Sequence, residues 1–280
     1  MTDGDGHGPS GSLFDATVRD GVVRLSKPGT RWHSTGWRGG RITADAAYSV
    51  TVPEGWSDRD VSGYVRRRIE EAFDEGEASE ATSGTRPVLL TGVDARHARG
   101  ARYGPVEAFA TAGLSNPAAL DVPDRPPYPA ALGFDADDGP DATGSGENLD
   151  PAGTVNLVVA TTRNLPPHAF ANLIAVAAET KAATLLSVAG VPGTTTDAVV
   201  VACDPEGRRE RYSGSATLVG RAARICVRDA LLAALWSRYP DGEFSDPDAA
   251  EHAVTTEDRA AVFRIATGSN PGTEGPGDPE

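Results

Sequence analysis

Lysine is nearly missing from this chain. Of 26 basic residues only Lys27 and Lys181 are lysine, and the rest are arginine. Acidic residues number 40, so the formal net charge is −14. That sign repels phosphate backbones, which argues against nucleic acid as a partner. Cysteine is scarce as well. Cys203 and Cys226 are too few for a disulfide framework or a metal cluster and read as small buried core residues. The five histidines (His7, His33, His97, His168, His252) stand alone, so no metal site is expected. No Gly-x-x-x-x-Gly-Lys-Ser/Thr loop occurs, nor a Gly-x-Gly-x-x-Gly after a strand, which leaves nucleotide binding unsupported. A Gly-x-Ser-x-Gly elbow is also absent, Gly214-Ser215 lacking the flanking pattern. No apolar run approaches the ~20 residues needed to span a bilayer, and the N-terminus is polar, so the expectation is a cytoplasmic protein without a membrane partner.

What is present is acid, glycine and short β-branched runs. An acidic, lysine-poor surface resembles those of proteins from salt-loving organisms, where a Debye length of ~3 Å at 1 M salt screens self-repulsion. Residues 1–12 and 266–280 are Gly-, Ser- and acid-rich and read as disordered tails. Between them one catalytic domain, residues 13–265, is expected, interrupted at 121–152 by an acidic Pro/Gly-rich insertion. Asp20-Gly21 marks a hairpin within residues 13–25. Residues 48–52, 88–92 and 106–112 read as strands, and 60–73 as an amphipathic helix. Thr217 is placed to cap a helix reaching about Trp236, and 257–265 suggests a further short one. The fold class is mixed α/β, with α+β also compatible: a single-domain layered sheet with packed helices, whose strand order does not follow from sequence.

The chemistry concentrates between Gly153 and Val201. Two valine-rich runs, 155–162 and 198–201, read as buried strands, and the alanine-rich 169–188 between them as a helix, with Pro166 and Pro167 at its start and Gly190 at its exit. The loop before the second strand is Gly193-Thr194-Thr195-Thr196-Asp197. Three hydroxyls and a carboxylate at a strand mouth suit a ligand site; they equally suit a turn whose side chains satisfy local N–H groups. Arg31–Arg41 holds Trp32, Trp37, Gly36, Gly39 and Gly40 and reads as a loop. It fits a stacking platform for a flat ligand, or a glycine turn capped by core aromatics.

Taken together, Ser34–Gly40, Thr111–Asn116, Gly153–Asn156, Glu179–Ala182 and Gly193–Asp197 resemble the adenosylcobinamide amidohydrolase family. The trailing Tyr212-Ser213-Gly214, with Thr217 and Gly220, fits too. Arg38 stands where that family often has Asn, and the 121–152 insertion is not part of its pattern. The resemblance implies hydrolysis of the amide joining aminopropanol to the corrin ring of adenosylcobinamide, giving adenosylcobyric acid for cobalamin salvage in a halophilic archaeon. It implies a small-molecule corrinoid that brings its own cobalt, and no cofactor; whether the chain forms a homo-oligomer stays open. For catalysis Asp197 is the first choice of base and Glu179 the second, as a partly buried carboxylate near Lys181. Thr194, Thr195 and the Gly193 N–H are expected at the oxyanion, or a threonine as nucleophile. Asn116 and Asn156 are expected to orient the scissile amide, and Trp37, Gly39 and Gly40 to face the macrocycle in a broad groove. Two alternatives stay open: a non-catalytic corrinoid-binding protein, and another amidase or acyl-transfer enzyme with a threonine nucleophile.

Overall fold

The computed structural model describes residues 12–53, 55–56, 60–73, 86–122, 153–244, 250 and 253–257. Its strands and helices all belong to one compact unit, residues 1–120 and 147–256. A second unit, 121–146 and 257–280, lies almost wholly outside the described residues, and with it the expected insertion and the helix at 257–265.

Strands β1 (Asp15–Arg19) and β2 (Val22–Ser34) meet at Asp20 and Gly21, whose φ values of 44° and 77° make the left-handed pair a two-residue hairpin requires. β2 then turns into β3 (Gly40–Thr51). The expected loop over 31–41 is therefore corrected: only residues 35–39 form the turn, and Trp32 lies inside β2. Alternation decides this. Trp32 is fully buried with Leu25, Ala47 and Phe14, and its Nε1–H donates to the Ala44 carbonyl at 2.9 Å.

Helix α1 (Val61–Phe73) follows, its Gly63 N–H capped by Asp60 at 2.9 Å. β4 (Val88–Thr91), a 3-10 turn at Ala95–His97, β5 (Arg99–Tyr103) and β6 (Val106–Ala112) come next. β7 (Pro117–Leu120), β9 (Gly193–Thr194) and β11 (Val254–Thr256) form a small separate sheet. The central segment folds as expected: β8 (Val155–Thr161), α2 (Pro167–Ala189, ended by Gly190 at φ 73°) and β10 (Ala198–Cys203). α3 (Leu218–Arg238) starts on Thr217, whose hydroxyl accepts the Gly220 N–H at 3.0 Å.

The main sheet runs β4-β3-β2-β10-β8-β6-β5, with β1 beside β2. β8 and β10 are parallel, joined through α2, and are flanked by antiparallel β6 and β2. Every β8 residue is buried, because both sheet faces are covered. Val155, Leu157 and Val159 pack with Leu173, Val176, Leu231 and Leu235 of α2 and α3. Val158 and Ala160 face the other way, toward Trp32, Val200 and Leu89. Each valine or leucine side chain among them, where fully buried, contributes about 1.5–3 kcal/mol.

One expectation about the membrane needs correcting. α2 is long and apolar enough, by length and composition, to cross a bilayer. In the fold, 44% of its most apolar window is buried, packed on β10 and α3. Alanine and leucine serve a core helix as well as a spanning one, and composition alone does not separate them.

Candidate functional site

Because β8 and β10 are parallel, their first residues emerge on the same edge, Asn156 opposite Ala198. Asp197 precedes β10 directly, and its carboxylate ties that edge together. Oδ1 accepts the Val155 N–H at 2.8 Å and the Thr194 hydroxyl; Oδ2 accepts the Thr194 N–H at 3.0 Å and the Lys181 ammonium. A carboxylate offers about four lone-pair positions, and all are filled. The Lys181 and Asp197 side chains are 12% and 11% exposed, so the ion pair is largely desolvated and depends on these added hydrogen bonds.

Gly193 makes room for the pair. A Cβ there would sit 2.5 Å from Asp197 Oδ2 and 2.8 Å from Lys181 Nζ. Beside it, Thr196 Oγ1 lies 2.8 Å from Thr154 Oγ1 and 3.3 Å from the Gly153 carbonyl, to which it donates.

The β2–β3 turn closes over this edge. Thr35 clips it to β10: the Thr35 N–H donates to the Val199 carbonyl at 3.0 Å, and the Val199 N–H to Thr35 Oγ1 at 2.9 Å. From β4, the Leu90 carbonyl accepts the Asn156 side-chain N–H at 2.8 Å. Three strands separate β4 from β8 in the sheet, so that bond marks how far the sheet curls. The half-open cavity at this edge has a volume of about 330 Å³. Its wall comes from Thr35, Gly36 and Trp37 of the turn, Leu89 and Leu90 of β4, Thr154 and Asn156, then Thr196, Asp197 and Ala198.

Trp37, Asn156 and Asp197, drawn from three distant motifs, thus share one cavity. The other expected residues take different places. Glu179 is exposed on α2, which corrects its reading as a partly buried carboxylate: one residue on, Thr180 faces the core, and the 100° step turns Glu179 outward. Thr194 is buried and spends its hydroxyl on Asp197, and the Thr195 hydroxyl is buried without a partner. Neither borders the cavity; Thr154 and Thr196 do. Asn116 is buried away from the cavity wall, and its carbonyl accepts the Thr195 N–H at 3.2 Å.

Gly39 and Gly40 shape the turn rather than the cavity wall. A Cβ on Gly39 would meet the Ser34 carbonyl at 2.3 Å, and Gly40 takes φ 112°. Arg38 also has positive φ, 49°, and its guanidinium lies over the Trp37 ring at 4.7 Å. A left-handed position explains why Asn suits it.

Sequence reasoning missed Lys181, Thr154, Thr196 and Thr35 as site residues. For Lys181 a signal existed: one of two lysines, set in an otherwise apolar helix. A larger groove of about 550 Å³ between α2 and α3 is lined by Arg221, Arg224 and Arg228 with several hydroxyls, but holds no carboxylate or histidine. Among the described residues no group of three or more His, Cys, Asp or Glu is placed to hold a metal ion.

The family model described as CbiZ, adenosylcobinamide amidohydrolase, matches residues 10–242. A Halobacterium salinarum protein named adenosylcobinamide amidohydrolase is 52% identical over 257 residues, covering 90% of this chain and all of that protein. A solved structure, the PH0078 protein from Pyrococcus horikoshii OT3, aligns over 84% of this chain and 82% of its own. Its TM-score is 0.40 at 11% identity, too loose a likeness to carry an argument.

Proposed function

Since the chain belongs to the adenosylcobinamide amidohydrolase family, we propose that it hydrolyses adenosylcobinamide at the amide joining the aminopropanol arm to the corrin ring. Water and substrate give adenosylcobyric acid and aminopropanol, in the cytoplasm, and the cobalt belongs to the substrate. No cofactor enters the reaction. The observation that carries this reading is the convergence of Trp37, Asn156 and Asp197 with two threonine hydroxyls on one cavity.

Size supports a division of labour. About 330 Å³ lies at the small end of ligand pockets, enough for a side arm but not for a tetrapyrrole-like ring. The arm enters, and the macrocycle rests outside against the turn that carries Trp37. Amide hydrolysis needs a base, donors for the oxyanion and a proton for the departing amine. Asp197 is the carboxylate on the cavity wall. Of its four donors only the Thr194 hydroxyl can swing away without moving backbone or charge, which frees Oδ1 for water. Asp197 then takes the water proton as the O–C bond forms, and returns it to nitrogen as the C–N bond breaks. Thr154 turns its hydroxyl from Thr196 Oγ1 to donate to the oxyanion, while Thr196 keeps its bond to the Gly153 carbonyl.

The Thr194–Asp197 hydrogen bond favours a second reading, in which Thr194 rotates toward the cavity and its Oγ1 attacks the amide carbon. Asp197 takes the hydroxyl proton and passes it to nitrogen as the C–N bond breaks and aminopropanol leaves, and water later cleaves the acyl-threonine. Hydroxylamine trapping separates the two: an acyl-hydroxamate on the released corrinoid at the expense of acid marks the acyl-enzyme. The test of the function is incubation of the folded protein with adenosylcobinamide in molar KCl, followed by mass spectrometry. Adenosylcobyric acid is the expected product. Corrinoid binding without turnover identifies a carrier and refutes the hydrolase.

A further inference from the structure

We propose that Lys181 is a positioning residue for hydrolysis, holding Asp197 at the cavity wall, and that arginine cannot replace it. This rests on the hydrolase reading above. The chain uses arginine almost everywhere a cation is needed, yet places lysine at two positions. Each pairs with an aspartate flanking β10: Lys181 with Asp197 before the strand, Lys27 with Asp204 after it, the latter at 2.6 Å. The two pairs differ in surroundings. At the second the side chains are 29% and 22% exposed, open enough for solvent to share the charge. At the first they are 12% and 11% exposed, and the Lys181 ammonium donates to Asp197.

Shape explains the choice of cation. The Gly193 backbone lies so close that a mere Cβ would come within 2.8 Å of Nζ. A compact ammonium fits that gap; a planar guanidinium, wider and with its charge spread over three nitrogens, does not. Without the ammonium, Asp197 keeps only neutral donors, Val155 N–H and the two groups of Thr194, to hold a desolvated negative charge. Its Oδ2 would then turn toward solvent in the cavity, and the oxygen that meets water would leave its place. Lys181 does not border the cavity, so its removal acts on kcat through Asp197 and not on substrate binding.

The experiment uses the full chain in molar KCl with adenosylcobinamide as substrate. Lys181→Ala and Lys181→Arg are each expected to lower kcat on the order of 10²-fold with KM within about twofold, the effect of misplacing a reacting group by ~1 Å. Lys27→Ala is expected to keep wild-type kcat. Ethylammonium chloride, which can enter the space left in Lys181→Ala, is expected to restore part of the rate with saturation, whereas tetraethylammonium does not. A folded Lys181→Arg with wild-type kcat overturns the proposal, and so does a folded Lys181→Ala that ethylammonium fails to rescue. A thermal-unfolding cycle of Lys181→Met, Asp197→Asn and the double variant reads the pairing without activity: the double variant should melt no lower than the worse single one. Additive losses overturn the pairing, and a wild-type chain without turnover overturns the hydrolase reading instead.

Discussion

Gly193→Ala is the smallest change that tests the geometry of the site. The added methyl would lie 2.5 Å from Asp197 Oδ2 and 2.8 Å from Lys181 Nζ. Ordinary contact is ~3.5 Å, so the oxygen must retreat by about 1 Å. It has nowhere cheap to go, because Val155 N–H, Thr194 N–H, the Thr194 hydroxyl and Lys181 all hold the carboxylate. Overpacking of this kind costs about 1–3 kcal/mol. For a folded unit of this size that lowers Tm by roughly 2–4 °C per kcal/mol. The catalytic loss should exceed the stability loss, since a reacting group displaced by ~1 Å costs on the order of 10²-fold in rate. Gly214→Ala is the control, its Cβ meeting nothing nearer than Asn172 Nδ2 at 3.9 Å. The assay is a thermal melt in molar KCl beside steady-state turnover of adenosylcobinamide. A Gly193→Ala chain with the melting temperature and kcat of Gly214→Ala would refute the argument that the pair needs this glycine.

Asp197→Asn should lose about 10²–10⁴ of the rate while the chain stays folded, as expected for a general base; near-wild-type turnover assigns the base elsewhere. The two tryptophans should separate. Trp32→Ala should cost about 3–5 kcal/mol in urea unfolding as a fully buried side chain, while Trp37→Ala should cost less stability and raise KM for the corrinoid. Equal losses would contradict their placement. Burial pushes the Cys226 thiol up to about 11, so in the folded protein at pH 8 it should resist iodoacetamide for as long as the chain stays folded. The half-buried His33 has its pKa lowered from 6.5, first by desolvation and then by Arg41. The unfolded chain therefore binds this proton more readily, and the contribution present above pH 6.5 is lost as pH falls through the lowered folded value. His33→Gln should flatten the decline of the urea midpoint between pH 7 and pH 5; an unchanged slope would show that His33 is not a source of it.

The central strand–helix–strand unit was readable because its signals are local: β-branched runs, an alanine-rich span, prolines at the helix start and a glycine at its end. Asp20-Gly21 and Thr217 were equally plain, since a two-residue hairpin and a helix cap are decided by neighbours a few positions away. The strand extent of 31–34 was not readable. Trp32 and three glycines looked like a loop, and only the cluster of Leu25, Ala47 and Phe14 around the indole makes it strand. Within the hydroxyl loop, sequence could not rank Thr194, Thr195 and Thr196. Thr194 turns inward to the carboxylate, and Thr196 turns to Thr154 at the cavity.

By itself the sequence determined the mixed α/β class, the family resemblance and the presence of a carboxylate at a strand mouth, because composition, periodicity and motif order are properties of the chain alone. Tertiary structure decided which residues meet. Lys181 reaches Asp197 across a helix-to-strand connection, and Trp37 reaches the same cavity from a turn more than a hundred residues earlier. Glu179, two positions from Lys181, is carried to the solvent side by the 100° step of the helix. The physical reason is that convergence depends on sheet order and curl, which arise from packing summed over the whole core and leave no mark on any single stretch.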